Sequence, residues 1–482
     1  MLTQQDIERI IRETSSALVG GAAPASAAPV NAPAAVSASL PQGSAGWMFA
    51  TVDEAVAAAK TAQKALQRLT LEHRGRIIAS IREHCYANAK YLAELAHNET
   101  GYGSVEHKIL KNRLACHKTP GIEDLPTQAF SGDDGITLVE QAPFGVIGSI
   151  TPSTNPTSTV INNSISMVAA GNAVVFNPHP AAKRASQEAM RLVNEAIIKA
   201  EGPMGLICCV AEPTMESGLA IMKHKDIPLL SITGGEAVVK TAMTAGKRVI
   251  AAGPGNPPVI VDATANIPTA AKTIVDGASF DNNVLCVAEK EVFAFANIAD
   301  ELMSEMQKNG AWKISGEDID KVVKPVLINK DGKYVINRKY VGHDASLILS
   351  DSGVSFTGKP RLVIAEVDKN HPFITVEMLM PVLGITRVNN ISEAIEEALK
   401  AEAGCKHSAM IPSSNIHNMT AAASALNTTI FVKNGPSYAG LGFGGEGYTT
   451  LTIATPTGEG LTSARTFTRA RRCVVRGDLR VI

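Results

Sequence analysis

Between Thr151 and Ala252 the chain repeats one pattern: a short apolar run, a tight turn, a longer amphipathic stretch. The apolar runs fall at residues 173–176, 206–210, 229–233 and 249–252. The stretches between them, 181–200, 215–223 and 236–245, carry helical spacing. Runs that are apolar throughout, rather than alternating, belong to strands covered on both faces, as in a parallel sheet. Their alternation with helices predicts a Rossmann-like α/β fold. Aromatic residues are only 4% of the chain, which suits small aliphatic side chains packing helices onto such a sheet. Ligands of these sheets bind beyond the carboxyl ends of the strands, where helix N-termini offer unpaired N–H groups to phosphate. The loops concerned are residues 151–155, 177–180 and the pair Gly234-Gly235. No G-x-G-x-x-G lies in this region, and Gly234-Gly235 alone also reads as an ordinary tight turn.

Around this block the character of the chain changes. Residues 2–18 read as a short amphipathic helix, with Thr3 and Asp6 at its start and Ile7, Ile10, Ile11, Thr14 and Leu18 on one face. An Ala/Pro/Ser-rich tether follows, to about residue 47. A short helix on a tether has no core of its own, so it is either a frayed terminus or a peptide that docks on a partner. Helical spacing dominates residues 52–114, interrupted by Gly101-Tyr102-Gly103. Residues 136–140 and 145–150 read as strands flanking the turn residues Ala142-Pro143. After Ala252 the run GPGNPPVIVD crosses into a second α/β region. The C-terminus alternates charged and apolar residues like an exposed strand seeking a partner subunit.

The totals exclude several functions. With 45 basic and 46 acidic side chains there is no electrostatic footprint for nucleic acid. No apolar run reaches the ~20 residues that span a bilayer, and the start lacks the pattern of a secretory signal. The seven cysteines are scattered without a C-x-x-C, which argues against a disulfide framework or a structural zinc and for a reducing interior. One of them, Cys286, follows Asp281-Asn282-Asn283 in the stretch GASFDNNVLCVAEK. A reachable thiolate is a nucleophile, and neighbouring amides can hold developing charge without ionising. The same residue also reads as a small buried hydrophobe.

Seven motifs occur together and in order: TPSTNP (151–156), FNPHPAAK (176–183), ITGGEAVV (232–239), AAGPGNPP (251–258), GASFDNNVLC (277–286), EMLMPVLGI (377–385) and KNGPSYAGLGFGGEG (433–447). From about residue 48 onward the chain thereby resembles the aldehyde dehydrogenase superfamily. Within it, the chain is most similar to the CoA-acylating enzymes of ethanolamine and propanediol utilisation. The resemblance implies an α/β fold with a nucleotide (NAD/CoA)-binding domain over 48–253, to which 120–142 add an oligomerisation segment. It implies a catalytic domain over 254–436, and a return at 437–482 that ends in the strand of a small β oligomerisation ribbon. Residues 1–19 resemble the encapsulation peptide that docks cargo on bacterial microcompartment shell proteins, with 20–47 as its linker. That would put the protein in the lumen of a cytoplasmic microcompartment, as a homodimer or homotetramer.

The implied chemistry runs residue by residue. Cys286 matches the nucleophile, and Asn155 the amide that holds the oxyanion together with the Cys286 backbone N–H. Thr151, Pro152 and Ser153 would line the nicotinamide, His179 and Pro180 the adenosine ribose, and Thr233, Gly234 and Gly235 the pyrophosphate. Glu377 would hold the nicotinamide ribose. His407, in GCKHS, resembles an acid/base histidine of acylating relatives, or is a loop histidine held by a hydrogen bond. Hydrolytic relatives carry a general-base glutamate where this chain reads Ala251-Ala252. Base assistance to water is worth about 10²–10⁴, and a thiol needs far less. The expectation is therefore NAD-dependent oxidation of a short-chain aldehyde (acetaldehyde or propionaldehyde) to an acyl-CoA, with coenzyme A as co-substrate and no metal. NAD is favoured over NADP because a neutral His179 offers a 2′-phosphate little attraction. The alternatives are a hydrolytic aldehyde dehydrogenase and an inactive microcompartment scaffold.

Overall fold

The computed structural model describes residues 46–480. The helix expected over 2–18 and the tether to residue 45 lie outside the described residues. Two parallel sheets organise the rest. The first has six strands in the order Met48–Phe49, Ile207–Val210, Ala173–Pro178, Val146–Thr151, Leu229–Thr233, Arg248–Ala252. Every pairing in it is parallel, as the uninterrupted apolar runs predict. From Val146–Thr151 the chain winds one way through the next two strands and then returns to place Leu229–Thr233 on the other side. That reversal opens a crevice at the carboxyl ends, between the loops that begin at Thr151 and Thr233. Ile147, Phe176 and Leu230 fill this sheet's core, and Ala454, Ala464 and Phe467 from the end of the chain pack back into it.

The second sheet has seven parallel strands: Ala311–Ile314, Leu362–Glu366, Val382–Val388, Glu291–Phe295, Pro258–Val261, Ser408–Ile411 and Ile430–Lys433. A three-stranded antiparallel ribbon joins Gln128–Gly132, Gly135–Pro143 and Thr468–Arg476. Ala142 and Pro143, read from sequence as turn residues, belong to this ribbon, paired with Arg469 and Thr468. The chain turns instead at Phe144-Gly145, where Gly145 takes a φ of +120°. Buried Asn172 holds that turn by accepting from the Phe144 and Gly145 N–H groups at 2.8 and 3.0 Å.

The residues between Gly46 and the ribbon form four helices, Val52–Leu66, Leu71–Ala87, Ala89–Thr100 and Val105–Lys118. Thr51 and Glu54 make a capping box at the first, and Gly101 ends the third in the left-handed conformation that glycine tolerates. The helix Pro156–Ala169 was not marked by any hydrophobic period, because all its residues are buried. Several of its polar side chains are held by neighbours, whereas the Thr159 and Ser164 hydroxyls are buried without a partner. Thr157 donates to Asn112 at 2.8 Å, Asn162 donates to Thr119 at 2.9 Å, and Asn163 accepts from Thr452 at 3.1 Å. The signal that could have found it is the Asn155-Pro156 start, a helix-entry pair.

Candidate active site

Four positions singled out in the second half of the sequence share one end of the seven-stranded sheet. Gly255, Cys286, Glu377 and His407 come shortly before the strands Pro258–Val261, Glu291–Phe295, Val382–Val388 and Ser408–Ile411. The strands are parallel, so these residues gather at its amino end. Gly255 shows how tightly two of them meet. A Cβ there would lie 2.8 Å from His407 Cγ and 3.1 Å from the Cys286 carbonyl oxygen. The Gly255 N–H points to Glu377 Oε1 at 3.4 Å.

Cys286 is partly exposed and is preceded by a strained loop. Asp281, Asn282 and Asn283 have φ values of 49°, 53° and 66° in succession, a left-handed run that costs non-glycine residues energy. Side-chain bonds hold it in place. Asn282 donates to the Gly342 carbonyl at 2.9 Å and Asp344 at 2.8 Å. Asn283 donates to the Ala278 and Glu289 carbonyls at 2.8 and 3.0 Å and accepts from buried Lys290. The sequence reading offered these two amides as holders of developing charge. Their donors are taken up in holding the loop, by Gly342 and Asp344 for Asn282 and by Ala278 and Glu289 for Asn283, so they shape the approach to the thiol.

Asp281 does the third part of this work. Its carboxylate, wholly buried, accepts from the Ser104 N–H at 2.8 Å, from Lys108 Nζ at 3.2 Å and from Lys111 Nζ. Burial alone would raise this carboxyl, but the charges of Lys111 and Lys108 outweigh it and hold it at about 2. Burial lowers Lys111 to about 8 despite the carboxylate beside it. Lys111 also donates to Asn155 Oδ1 at 2.5 Å, and so ties the start of helix Pro156–Ala169 to the cysteine loop. Sequence reading missed both lysines. They stand three residues apart on helix Val105–Lys118, so they share a face, but lysines at that spacing ordinarily face solvent.

Burial, reinforced by the Glu377 charge, pushes the Cys286 thiol up to about 12, while Lys290 and Lys111 oppose the shift. Burial raises Glu377 and lowers Lys290. His407 is wholly buried, and burial lowers its imidazole to about 4, so it is neutral at physiological pH. Its Nδ1 is 2.8 Å from Ser408 Oγ, its backbone N–H donates to Glu402 Oε1, and Nε2 is a buried nitrogen without a hydrogen-bond partner. Partly buried apolar residues pack, like Cys286, against the same core: Leu110 and Leu114 from the lysine-bearing helix, Tyr438 and Phe443 from the segment around the glycine-rich loop. Phe280 joins them, with its ring 5.0 Å from Tyr438 and stacked at 4.3 Å on His107.

The nucleotide candidates lie at the carboxyl ends of the six-stranded sheet. Thr151 is buried, with a hydroxyl that has no partner, and Pro152 and Ser153 are partly exposed beside it. Thr233 ends its strand, with its hydroxyl 3.1 Å from that of Thr452. Gly235 begins helix Glu236–Met243 with no side-chain cap. A Cβ at Gly235 would meet nothing within 4 Å, and one at Gly234 would meet only Val238, from 3.7 Å. Neither glycine has positive φ, so nothing in the chain itself requires them, and they leave open backbone at a helix start. An orphaned hydroxyl and an uncapped, side-chain-free helix start suit a dinucleotide. His179 and Pro180 are exposed, and His179 Nδ1 accepts from the Ala181 N–H at 3.1 Å. Among the described residues, no group of three or more His, Cys, Asp or Glu is arranged to hold a metal ion. Among them, too, no helix is long and apolar enough to cross a membrane.

A nucleotide-type parallel sheet joined to a second sheet, with a thiol at the amino end of the latter, defines a dehydrogenase-type α/β enzyme. The chain belongs to the aldehyde dehydrogenase family, whose pattern spans residues 28–454. It is 51% identical to the acetaldehyde dehydrogenase (acetylating) of Bilophila wadsworthia, over 99% of each chain. A propionaldehyde dehydrogenase from the Clostridium phytofermentans fucose utilisation bacterial microcompartment has a similar structure, with a TM-score of 0.88 and 49% identity over 90% of this chain and 99% of that one. The propionaldehyde dehydrogenase of Rhodopseudomonas palustris, solved with bound CoA and an acylated cysteine, has a TM-score of 0.87 and 47% identity over 90% and 99%.

A thiol held at about 12 is a thiolate in only a small fraction of free enzyme at neutral pH, and that fraction grows about tenfold per pH unit. Iodoacetamide labelling of the Cys286 peptide, followed by mass spectrometry without substrates, should therefore accelerate steadily from pH 7 to 9. A plateau inside that range would contradict the assignment.

Proposed function

We propose that this protein is a CoA-acylating aldehyde dehydrogenase. It oxidises acetaldehyde or propionaldehyde with NAD+ and passes the acyl group to coenzyme A. The observation that carries the reading is the packing at Gly255 of the Cys286 backbone against His407, a neutral histidine whose Nε2 has no partner. Relatives of nearly full-length similarity that act on these aldehydes support it.

In this mechanism Cys286 Sγ attacks the aldehyde carbon, and His407 Nε2 takes the thiol proton as the C–S bond forms. A neutral imidazole is ready to accept, so a scarce thiolate need not be formed beforehand. The carbonyl electron pair moves onto oxygen, where Asn155 Nδ2 and the Cys286 N–H donate to it. The dinucleotide, when bound by Thr151, Thr233 and the Gly234-Gly235 backbone with Glu377 on a ribose, supplies the hydride acceptor. Loss of hydride from the carbon leaves a thioester on Cys286. The thiolate of coenzyme A then adds to that carbon, the bond to Cys286 breaks, and His407 returns the proton to Sγ. Leu110, Leu114, Tyr438 and Phe443 give the site an apolar wall suited to a short alkyl chain.

One observation favours a hydrolytic reading. Strand Arg248–Ala252 ends without a base, but Glu377 lies close enough to raise the thiol, and burial raises its own pKa. A carboxylate so placed can accept a proton from water. Steady-state NADH formation, with the product identified by mass, separates the two readings. Acylation predicts that turnover falls by more than about tenfold without CoA, in line with the size of a missing catalytic contribution, and that the product is an acyl-CoA. Equal rates without CoA and release of free acid would overturn it.

Three finer readings accompany this one. NAD is preferred, because partial desolvation of the ring of His179, with the Arg338 charge second, lowers its pKa and leaves the imidazole uncharged for a 2′-phosphate; a higher kcat/KM with NADP+ would refute that. The ribbon exposes Phe130, Leu138, Val474 and Val475, a sheet edge suited to a second copy, so the protein is a homodimer or homotetramer, and a monomer on gel filtration would oppose this. Residues 2–18 dock on a microcompartment shell protein through the apolar stripe in their sequence. Deleting 1–19 should leave soluble activity unchanged and abolish co-sedimentation with shells, whereas retained co-sedimentation would rule the segment out.

A further inference from the structure

Asn155 can stabilise an oxyanion only if its amide nitrogen, not its oxygen, faces the reacting carbon. The two ends of a side-chain amide are nearly alike in shape, so packing alone does little to choose between them. The neighbour that chooses is Lys111. An ammonium group is a donor with no acceptor, and Lys111 Nζ lies 2.5 Å from Asn155 Oδ1. A flipped amide would turn its own N–H groups toward another buried donor, losing the bond to Lys111. Lys111 is itself fixed, because the same Nζ donates to Oδ2 of wholly buried Asp281, which Lys108 shares while the Ser104 N–H holds Oδ1. The other side-chain partner of Asn155, Thr154 Oγ1 at 3.2 Å from Nδ2, is a hydroxyl that both donates and accepts, so it imposes no orientation.

We propose that Lys111, held by Asp281, is a positioning residue that locks the Asn155 amide with Nδ2 toward the oxygen of the Cys286 adduct. The lock joins helix Val105–Lys118, the start of helix Pro156–Ala169 and the cysteine loop, so the oxyanion donor and the nucleophile keep one geometry. It rests on the reading of Cys286 and Asn155 given above. The lysine touches neither substrate nor thiol in this role. Its removal acts on the oxyanion through Asn155, by allowing the amide to present its oxygen to a developing negative charge.

A double-mutant cycle on the full chain tests this: wild type, K111M, N155A and K111M/N155A. The readouts are the single-turnover rate of NADH formation from propionaldehyde, and the Kd for NADH by fluorescence, which a general collapse of the fold would weaken. Loss of one oxyanion donor costs about 10²–10³ in rate, so N155A should fall by that much and K111M by at least about tenfold. The double variant should be no slower than N155A, with NADH affinity held throughout. K111R, which keeps a donor-only group, should be faster than K111M. If K111M is recovered poorly, K111Q carries the same test, because its amide offers both donor and acceptor and sets no orientation. If the K111M and N155A losses multiply, or K111M matches wild type while N155A is slow, the lock is wrong and the site reading stands. If N155A itself matches wild type, the oxyanion role of Asn155 fails, and the lock fails with it.

Discussion

The buried ion cluster of Asp281 with Lys108 and Lys111 is the interaction on which the site depends. It joins two pieces of chain some 170 residues apart, the pairs Lys111–Asp281 and Lys108–Asp281 being separated by 170 and 173 positions. Isolating any of these charges in the interior would be strongly unfavourable, so the cysteine loop and helix Val105–Lys118 must assemble together. Three successive residues in left-handed conformation would not persist without such bonds. Gly103 reveals how close the fit is: a Cβ there would lie 1.9 Å from Asp281 Oδ1. Glycine is needed at that position because the carboxylate occupies the space of a side chain.

Burial serves the chemistry as well as the fold. It raises the Cys286 thiol and lowers the His407 imidazole, shifts that keep both groups uncharged before substrate arrives. A neutral thiol beside a neutral base avoids the solvation that a free thiolate would lose on entering an apolar site. In the proposed mechanism the proton moves as the bond to carbon forms, when the new negative charge appears on the substrate oxygen and Asn155 donates to it. Lys290 and Lys111 work against the rise of the thiol, and each is bonded to the loop or helix it supports.

The parts of this arrangement that could be read from sequence are those that repeat. The six-stranded sheet follows from apolar runs, and strand Leu229–Thr233 lies where its run predicted. Helix Pro156–Ala169 was illegible because a helix buried all round has no polar face to set a period. Ala142 and Pro143 looked like a turn from composition, but proline can end a strand where it need not donate to the ladder. The aldehyde dehydrogenase family was legible only through seven motifs taken in order. The role of Lys111 was not, because nothing in a stretch such as HKILKN distinguishes a lysine aimed at a buried carboxylate from one in solvent. Asn282 and Asn283 show the converse: residues chemically fit for catalysis are consumed in building the loop.

The central claim is that Cys286 carries the acyl group between the oxidation and its transfer. The most direct measurement mixes enzyme with propionaldehyde and NAD+ in the absence of CoA, quenches in acid and maps the peptides by mass. The account predicts a propionyl adduct on the Cys286 peptide, formed with NADH in equal amount and discharged when CoA is added before the quench. NADH formed without an adduct on that peptide, or an adduct on another cysteine, would contradict it.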